Sequence, residues 1–175
     1  MKNFFIAIIL IIFLQNFAAA DTDSWITISF GQTHIFKSEI KQPKEFGLGI
    51  IFPSLDEEDL IDLRPFAGFK VNFDRSYYIY GSFIVDFNLD SFFKIALSAG
   101  VGKYIHGSID SIDLGFPLEF RESIELILLL FRGKLRLTLG FDHLSNAGLG
   151  KYRDGGTNNT GTESIYFSVG LPLNV

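Results

Sequence analysis

Three side chains of the types that can together catalyse acyl transfer lie close to the C-terminal end of the sequence: His143, Ser145 and Glu163. In such a set, the imidazole takes the proton from the serine hydroxyl as the oxygen attacks a carbonyl carbon. The carboxylate fixes the imidazole tautomer and stabilises its charged form. The residue types therefore predict a serine-esterase relay with His143 as base, Ser145 as nucleophile and Glu163 as the orienting acid.

Acyl transfer also requires hydrogen-bond donors for the oxyanion that develops on the attacked carbonyl. Asn146, the backbone amide of Gly148 and Asn159 lie near the three candidates in sequence. Glycine at position 148 lets the backbone approach a reacting group because no Cβ intervenes. We predict these three positions as oxyanion or substrate contacts, with ordinary loop chemistry as the alternative.

The His-x-Ser spacing alone also occurs by chance, and polar residues at a strand end commonly mark the level of lipid headgroups. Whether the three residues form a relay or only mark the end of a strand depends on the secondary-structure elements that position them.

The first 20 residues resemble a secretory signal: Lys2, an apolar run over 4–14, and small residues at 18–20. We predict cleavage after Ala20 and one domain over 21–175. The alternative, a membrane anchor, is disfavoured because the apolar run is too short to span comfortably.

Period-two alternation, which is typical of strands with two unlike faces, runs through the rest of the chain. Eight segments show it, covering residues 26–31, 46–52, 67–73, 77–87, 93–102, 112–121, 135–142 and 164–173. One face is apolar and rich in phenylalanine, of which the chain has 20. The other face mixes glycine, serine and charges of both signs. This pattern predicts an all-β protein, an eight-stranded antiparallel transmembrane β-barrel with its apolar face toward lipid. The alternative is a soluble lipocalin-like barrel with the faces reversed.

In the membrane barrel the small and charged face fills the interior. The charged residues expected there are Lys70, Asp86, Lys94, Asp113, Glu119, Arg121, Arg136 and Asp142. Two features fit poorly: Pro117 falls inside the sixth segment, and the run 126–131 does not alternate.

An even-stranded barrel with periplasmic termini sends its odd-numbered strands outward. The seventh segment then ends at the outer surface near Ser145, and residues 146–162 form an external loop. His143 and Ser145 continue the outward series of Leu139 and Phe141, and Glu163 begins the outward series of the eighth segment. All three relay residues are therefore expected on the lipid-facing wall, where directly opposed side chains lie about 4.5–5.5 Å apart at Cβ.

Composition disfavours other partners. The formal net charge is −5 and no basic block is present, which disfavours nucleic acid as a partner. The chain has no cysteine and no histidine–glutamate cluster at ligand spacing, so we expect no transition-metal site. The acidic run 56–59 has the residue types that bind a divalent cation, but we favour a solvated periplasmic turn.

The sequence His143-Leu144-Ser145-Asn146-Ala147-Gly148-Leu149, followed by Asn159-Thr160-Gly161-Thr162-Glu163-Ser164, resembles the signature of the outer-membrane lipid A 3-O-deacylases of the PagL type. The resemblance implies a location in the outer membrane, lipid A or lipopolysaccharide as substrate, and no cofactor. It gives His143, Ser145 and Glu163 the same roles as above, with Asn159 and the region of Gly148 as oxyanion stabilisers. The chain departs from the family in a longer loop before Asn159 and in lacking a terminal aromatic residue.

Two further functions remain open from the sequence. A relay of this kind also serves an acyltransferase, because it does not by itself select water over another alcohol as acceptor. A small barrel without enzymatic activity is the other alternative. Whether the barrel is a monomer or a homodimer is also left open.

Overall fold

The computed structural model describes residues 24–36, 42–57, 60–107, 114, 116–148 and 161–173. The predicted signal segment and most of the predicted external loop lie outside these residues. The strands in chain order are β1 (Trp25–Thr33), β2 (Lys44–Ile51), β3 (Asp56–Glu57), β4 (Ile61–Asn72), β5 (Tyr77–Asn88), β6 (Phe93–Ile105), β7 (Leu118–Leu130), β8 (Leu135–Ser145) and β9 (Thr162–Pro172). Among the described residues, no helix is long and apolar enough to cross a membrane.

Eight of these strands form a closed antiparallel barrel. Their order is β2-β1-β9-β8-β7-β6-β5-β4, and pairing of β2 with β4 closes the cylinder. The two-residue strand β3 only extends the ladder at the start of β4. Closure matters because it leaves no edge strand with unpaired backbone groups facing lipid. The predicted eight-stranded antiparallel barrel is confirmed.

The two faces point as the membrane interpretation requires. The exposed large side chains are overwhelmingly apolar and include Phe30, Ile79, Phe83, Leu139 and Phe167. The soluble alternative with reversed faces is therefore wrong. The inward direction is confirmed for all the charged residues predicted there except Asp113, which lies outside the described residues.

The buried charges are paired in two groups. Toward the end of the barrel at which β8 finishes, Lys70 Nζ lies 2.6 Å from Asp142 Oδ2 and 2.9 Å from Glu45 Oε1. Arg121 Nε donates to the same Asp142 oxygen at 2.9 Å. Toward the opposite end, Arg136 makes a forked contact with Asp86, at 3.0 and 3.2 Å. Such pairs compensate for the removal of each charge from water.

The sixth predicted segment was placed wrongly. We expected it over 112–121, whereas β7 runs over Leu118–Leu130 and Pro117 lies just before it. Proline has no N–H to donate to a strand ladder, so it suits a position just before the strand better than one inside it. The carbonyl of Pro117 still accepts a hydrogen bond from Tyr104 N at 2.7 Å.

The non-alternating run at the other end of β7 also has an explanation. Its inward residue Ile127 packs in an apolar cluster with Trp25, Ile51, Ile84 and Ala96. Side-chain direction still alternates through this part of β7, but both directions lead into apolar surroundings, so the polarity pattern disappears while the strand continues.

Candidate active site

The end of β8 and the start of β9 bring His143 and Glu163 of the candidate relay together. Barrel register places His143 directly opposite Glu163, and Leu144 opposite Thr162. The inward neighbours Asp142 and Leu144 are buried, so His143 and Ser145 project from the other side of the same strand. The local strand pattern therefore presents the three candidate side chains on the outer wall.

The imidazole and the carboxylate are in contact. His143 Nδ1 lies 3.2 Å from Glu163 Oε1, with 38% of the histidine side chain and 21% of the glutamate side chain exposed. A carboxylate that accepts from Nδ1–H selects the tautomer whose Nε2 carries a free lone pair. That nitrogen is the atom a general base requires for removing a proton from an alcohol.

Gly161 shows which way the imidazole leans. A Cβ built at Gly161 would lie 2.5 Å from His143 Cε1 and 2.9 Å from His143 Nε2. Since Gly161 precedes Thr162, and Thr162 pairs with Leu144, Gly161 lies at the level of Ser145. The Nε2 edge of the ring is thus turned toward the end of β8, which is also the direction of Ser145. Sequence reasoning noted this glycine within the motif but assigned it no role.

The predicted oxyanion residues form a turn directly after Ser145. The Asn146 side chain is 1% exposed, and its Nδ2 donates to the carbonyl of Leu114 at 2.6 Å. Its Oδ1 accepts from the Gly148 N–H at 2.9 Å. Ala147 and Gly148 both have positive φ, 51° and 76°. Both predicted donor groups therefore already have partners within the protein, and Asn159 lies outside the described residues.

A second connection, missed by the sequence analysis, holds the start of β9. The Thr162 hydroxyl contacts His34 Nδ1 and lies 3.1 Å from the Thr33 hydroxyl. The Ile35 N–H donates to the carbonyl of Glu163 at 3.4 Å. These contacts tie Thr162 and the Glu163 backbone to the end of β1 and the two residues that follow it. They join positions far apart in the chain, so no local sequence signal reveals them.

Over the described part of the chain, no group of three or more histidine, cysteine, aspartate or glutamate side chains is arranged to hold a metal ion.

Comparison with solved structures gives the same architecture. The crystal structure of the outer membrane enzyme PagL matches with 19% identity and a TM-score of 0.62, covering 85% of this chain and 99% of that one. Neisserial surface protein A matches with 14% identity and a TM-score of 0.57, covering 85% and 96%. A de novo designed transmembrane β-barrel matches with 7% identity and a TM-score of 0.56, covering 88% and 98%. At these identities the likeness establishes the fold, which is that of outer-membrane barrels.

Sequence comparison is more specific. No curated protein sequence matches the chain significantly. The family model for lipid A 3-O-deacylase (PagL) matches residues 66–172, which is more than half of the chain and includes both the end of β8 and all of β9. The chain therefore belongs to the PagL family of lipid A 3-O-deacylases.

Proposed function

We propose that this protein hydrolyses the 3-O-linked acyl ester of lipid A in the outer leaflet, with Ser145 as nucleophile, His143 as general base and Glu163 as orienting acid. The observation that carries the proposal is the 3.2 Å contact between His143 and Glu163 on the lipid-facing wall of a barrel from this family. An imidazole–carboxylate pair exposed on a predominantly apolar surface is costly to place there, which favours a functional explanation.

The proposed reaction has two acyl-transfer steps. Ser145 Oγ attacks the ester carbonyl while His143 Nε2 takes its proton, and Glu163 stabilises the resulting imidazolium. The tetrahedral intermediate collapses, the sugar oxygen leaves with the proton from His143, and an acyl-serine remains. Water then attacks the acyl-serine, again giving its proton to His143, and the free fatty acid departs as Ser145 recovers its hydrogen.

Oxyanion stabilisation is assigned to the turn that follows Ser145. Asn146, Gly148 and Asn159 remain our proposed donors. The bond between the Gly148 N–H and Asn146 Oδ1 must open, or a backbone N–H beside Ser145 must substitute for it, before the turn can bind an oxyanion. Such adjustment on substrate binding is common, because catalytic hydrogen bonds tighten only in the reacting complex.

The substrate would reach the relay from the membrane. Below His143 and Glu163 the outer wall presents Leu139, Ile165 and Phe167, all large and exposed. Acyl chains packed against these residues would place an ester near the headgroup level beside Ser145. The relay residues come from adjacent strands of one chain, so the reaction does not require a homodimer, and a homodimer stays a prediction.

The test is lipid A mass spectrometry in Gram-negative cells that lack this activity. Wild-type protein should remove one acyl chain from lipid A, and Ser145→Ala should remove none while still folding and inserting. Ser168→Ala provides the matched control, because Ser168 is buried on the inward face of β9. Retained deacylation in Ser145→Ala would reject the proposal. A mass gain on lipid A would identify an acyltransferase, and an unchanged spectrum with folded wild-type protein would favour a barrel without enzymatic activity.

A further inference from the structure

A second carboxylate lies beside the histidine on the side away from Glu163. On the strands of the barrel that the structure describes, acidic side chains point outward at two positions, Glu122 on β7 and Glu163 on β9. The other acidic residues of the barrel strands point into the barrel, namely Glu45, Asp62, Asp86, Glu119, Glu125 and Asp142. Register makes both outward glutamates direct partners of His143, one from each neighbouring strand.

The surroundings of Glu122 make this placement costly. Its side chain is exposed, and the adjacent outward residues on its own strand are Phe120 and Ile124, both large and exposed to lipid. Its register partner on β6 is Ala99. A charged side chain in an apolar, lipid-facing setting is unfavourable for the barrel and marks a functional position.

Geometry suggests what the charge does. Directly opposed side chains on one face lie about 4.5–5.5 Å apart at Cβ, and an opposite charge within about 4–6 Å favours the charged form of a titratable group. Glu122 and Glu163 are separated by two strand spacings, roughly 9.6 Å. By Coulomb's law their mutual repulsion is then about half the attraction of each to an imidazolium between them.

Other charged groups near the imidazole of His143 do not supply the negative charge that Glu122 provides. On β8 itself the outward neighbours of His143 are Phe141 and Ser145, which are uncharged. Behind the wall, Asp142 is buried and already paired with Lys70 and Arg121. Among described residues, the acidic groups that face the imidazole from the packed strands are therefore Glu163 and Glu122.

We propose that Glu122 is a positioning residue that acts through His143, forming with Glu163 a pair of carboxylates that brackets the imidazolium during acyl transfer. The inference rests on the proposed function, because it assigns a role within the same relay. It predicts that the negative charge, rather than the shape of the side chain, is what the site requires at position 122.

The test compares Glu122→Gln, Glu122→Asp and Glu122→Leu in the full chain purified into detergent micelles, with lipid A as substrate. Glu122→Gln should lower kcat about tenfold with KM unchanged, since only the transition state contains the imidazolium. Glu122→Asp should restore most of kcat. The acid limb of the kcat/KM profile should lie at a lower pH in Glu122→Gln than in wild type, because the imidazolium loses a stabilising negative charge and the base stays neutral in more acidic solution.

Folding is controlled separately. Removing a charge from a lipid-facing surface should not hinder insertion, so Glu122→Leu should fold at least as well as wild type while losing kcat. Lys103→Gln is the matched control, because it removes an exposed outward charge from β6 at a position that pairs with Leu118 and not with His143. It should leave kcat and the pH profile unchanged.

Wild-type kcat and pH profile in folded Glu122→Gln would overturn the inference, and so would a raised KM with unchanged kcat, which would mean that Glu122 contacts the substrate instead. Failure of the proposed function is distinguishable, because it appears as retained deacylation in Ser145→Ala or as the absence of deacylation by the wild-type protein. An inactive Ser145→Ala together with a fully active Glu122→Gln would refute the role of Glu122 alone.

Discussion

Asp142 and His143 are neighbours in the chain, yet they lie on opposite sides of one wall and in different chemical environments. Asp142 is fully buried and shares an oxygen between Lys70 at 2.6 Å and Arg121 at 2.9 Å. His143 is partly exposed and contacts Glu163 at 3.2 Å. The inner group is enclosed by the barrel, whereas the outer group can be reached from the membrane. One strand thus holds the barrel together on one face and presents reactive groups on the other.

The largest expected effect is on the outer side. His143→Ala should lower deacylation by a factor on the order of 10⁴, because the general base is lost. The free energy of unfolding should stay within about 0.5 kcal/mol of wild type, since the side chain is partly exposed. Lipid A mass spectrometry measures the first quantity and urea unfolding in lipid vesicles the second. Failure of His143→Ala to fold would contradict the assignment of activity to the outward face of β8 and stability to its inward face.

A substitution on the inward face of β8 should have the opposite effect, with a large loss of stability and little loss of activity. Asp142→Ala leaves Lys70 and Arg121 with an uncompensated buried charge, so the free energy of unfolding should fall by roughly 3–5 kcal/mol. Protein that does fold should keep deacylation within a few-fold of wild type. Urea unfolding and activity per folded barrel check this pair of outcomes. Unchanged stability, with activity lost, would mean that Asp142 belongs to the relay instead of to the interior.

A smaller loss of activity is expected from a substitution at Gly161, whose backbone lies against the imidazole of His143. Gly161→Ala would place a Cβ 2.5 Å from His143 Cε1, so the ring must shift and its alignment with Glu163 suffers. We expect a loss of kcat on the order of 10–100-fold, because misplacement by about 1 Å is enough for such losses. Gly81→Ala is the control, since its nearest neighbour would be the Phe66 carbonyl oxygen at 3.8 Å. Equal effects of both variants on activity would contradict the assignment.

The smallest expected effect concerns the turn after Ser145. Ala147 has a φ of 51°, a left-handed conformation that costs a residue with a Cβ about 1–2 kcal/mol. Ala147→Gly should therefore raise the free energy of unfolding by about 0.5–1 kcal/mol, after the greater freedom of glycine in the unfolded chain is subtracted. Ala99→Gly, within strand β6, should lower it by a similar amount. Urea unfolding of the two variants should give opposite signs.

Several features followed from the sequence because they depend on one strand at a time. Alternation predicted the outward direction of His143 and the inward direction of Asp142, and both hold in the barrel. The two parts of the family motif, over 143–149 and 159–164, are each continuous in the sequence. The later part of β7 was missed, because an apolar inward cluster around Ile127 removed the polarity pattern that alternation needs.

Three relationships between strands were not predicted from the sequence. The contact of Thr162 with His34, the packing of Gly161 on the imidazole, and the position of Glu122 opposite His143 all depend on register. Register around a barrel is fixed by closure and stagger of all the strands together, and a shift of one residue would reverse every face.

The sequence by itself determined which face each side chain occupies, because a strand alternates with a period of two residues whatever its neighbours are. It also determined the apolar outer band and the family motif. Only the tertiary structure decided which side chains meet across strands, because closing the cylinder sets the register that brings Glu163 to one side of His143 and Glu122 to the other.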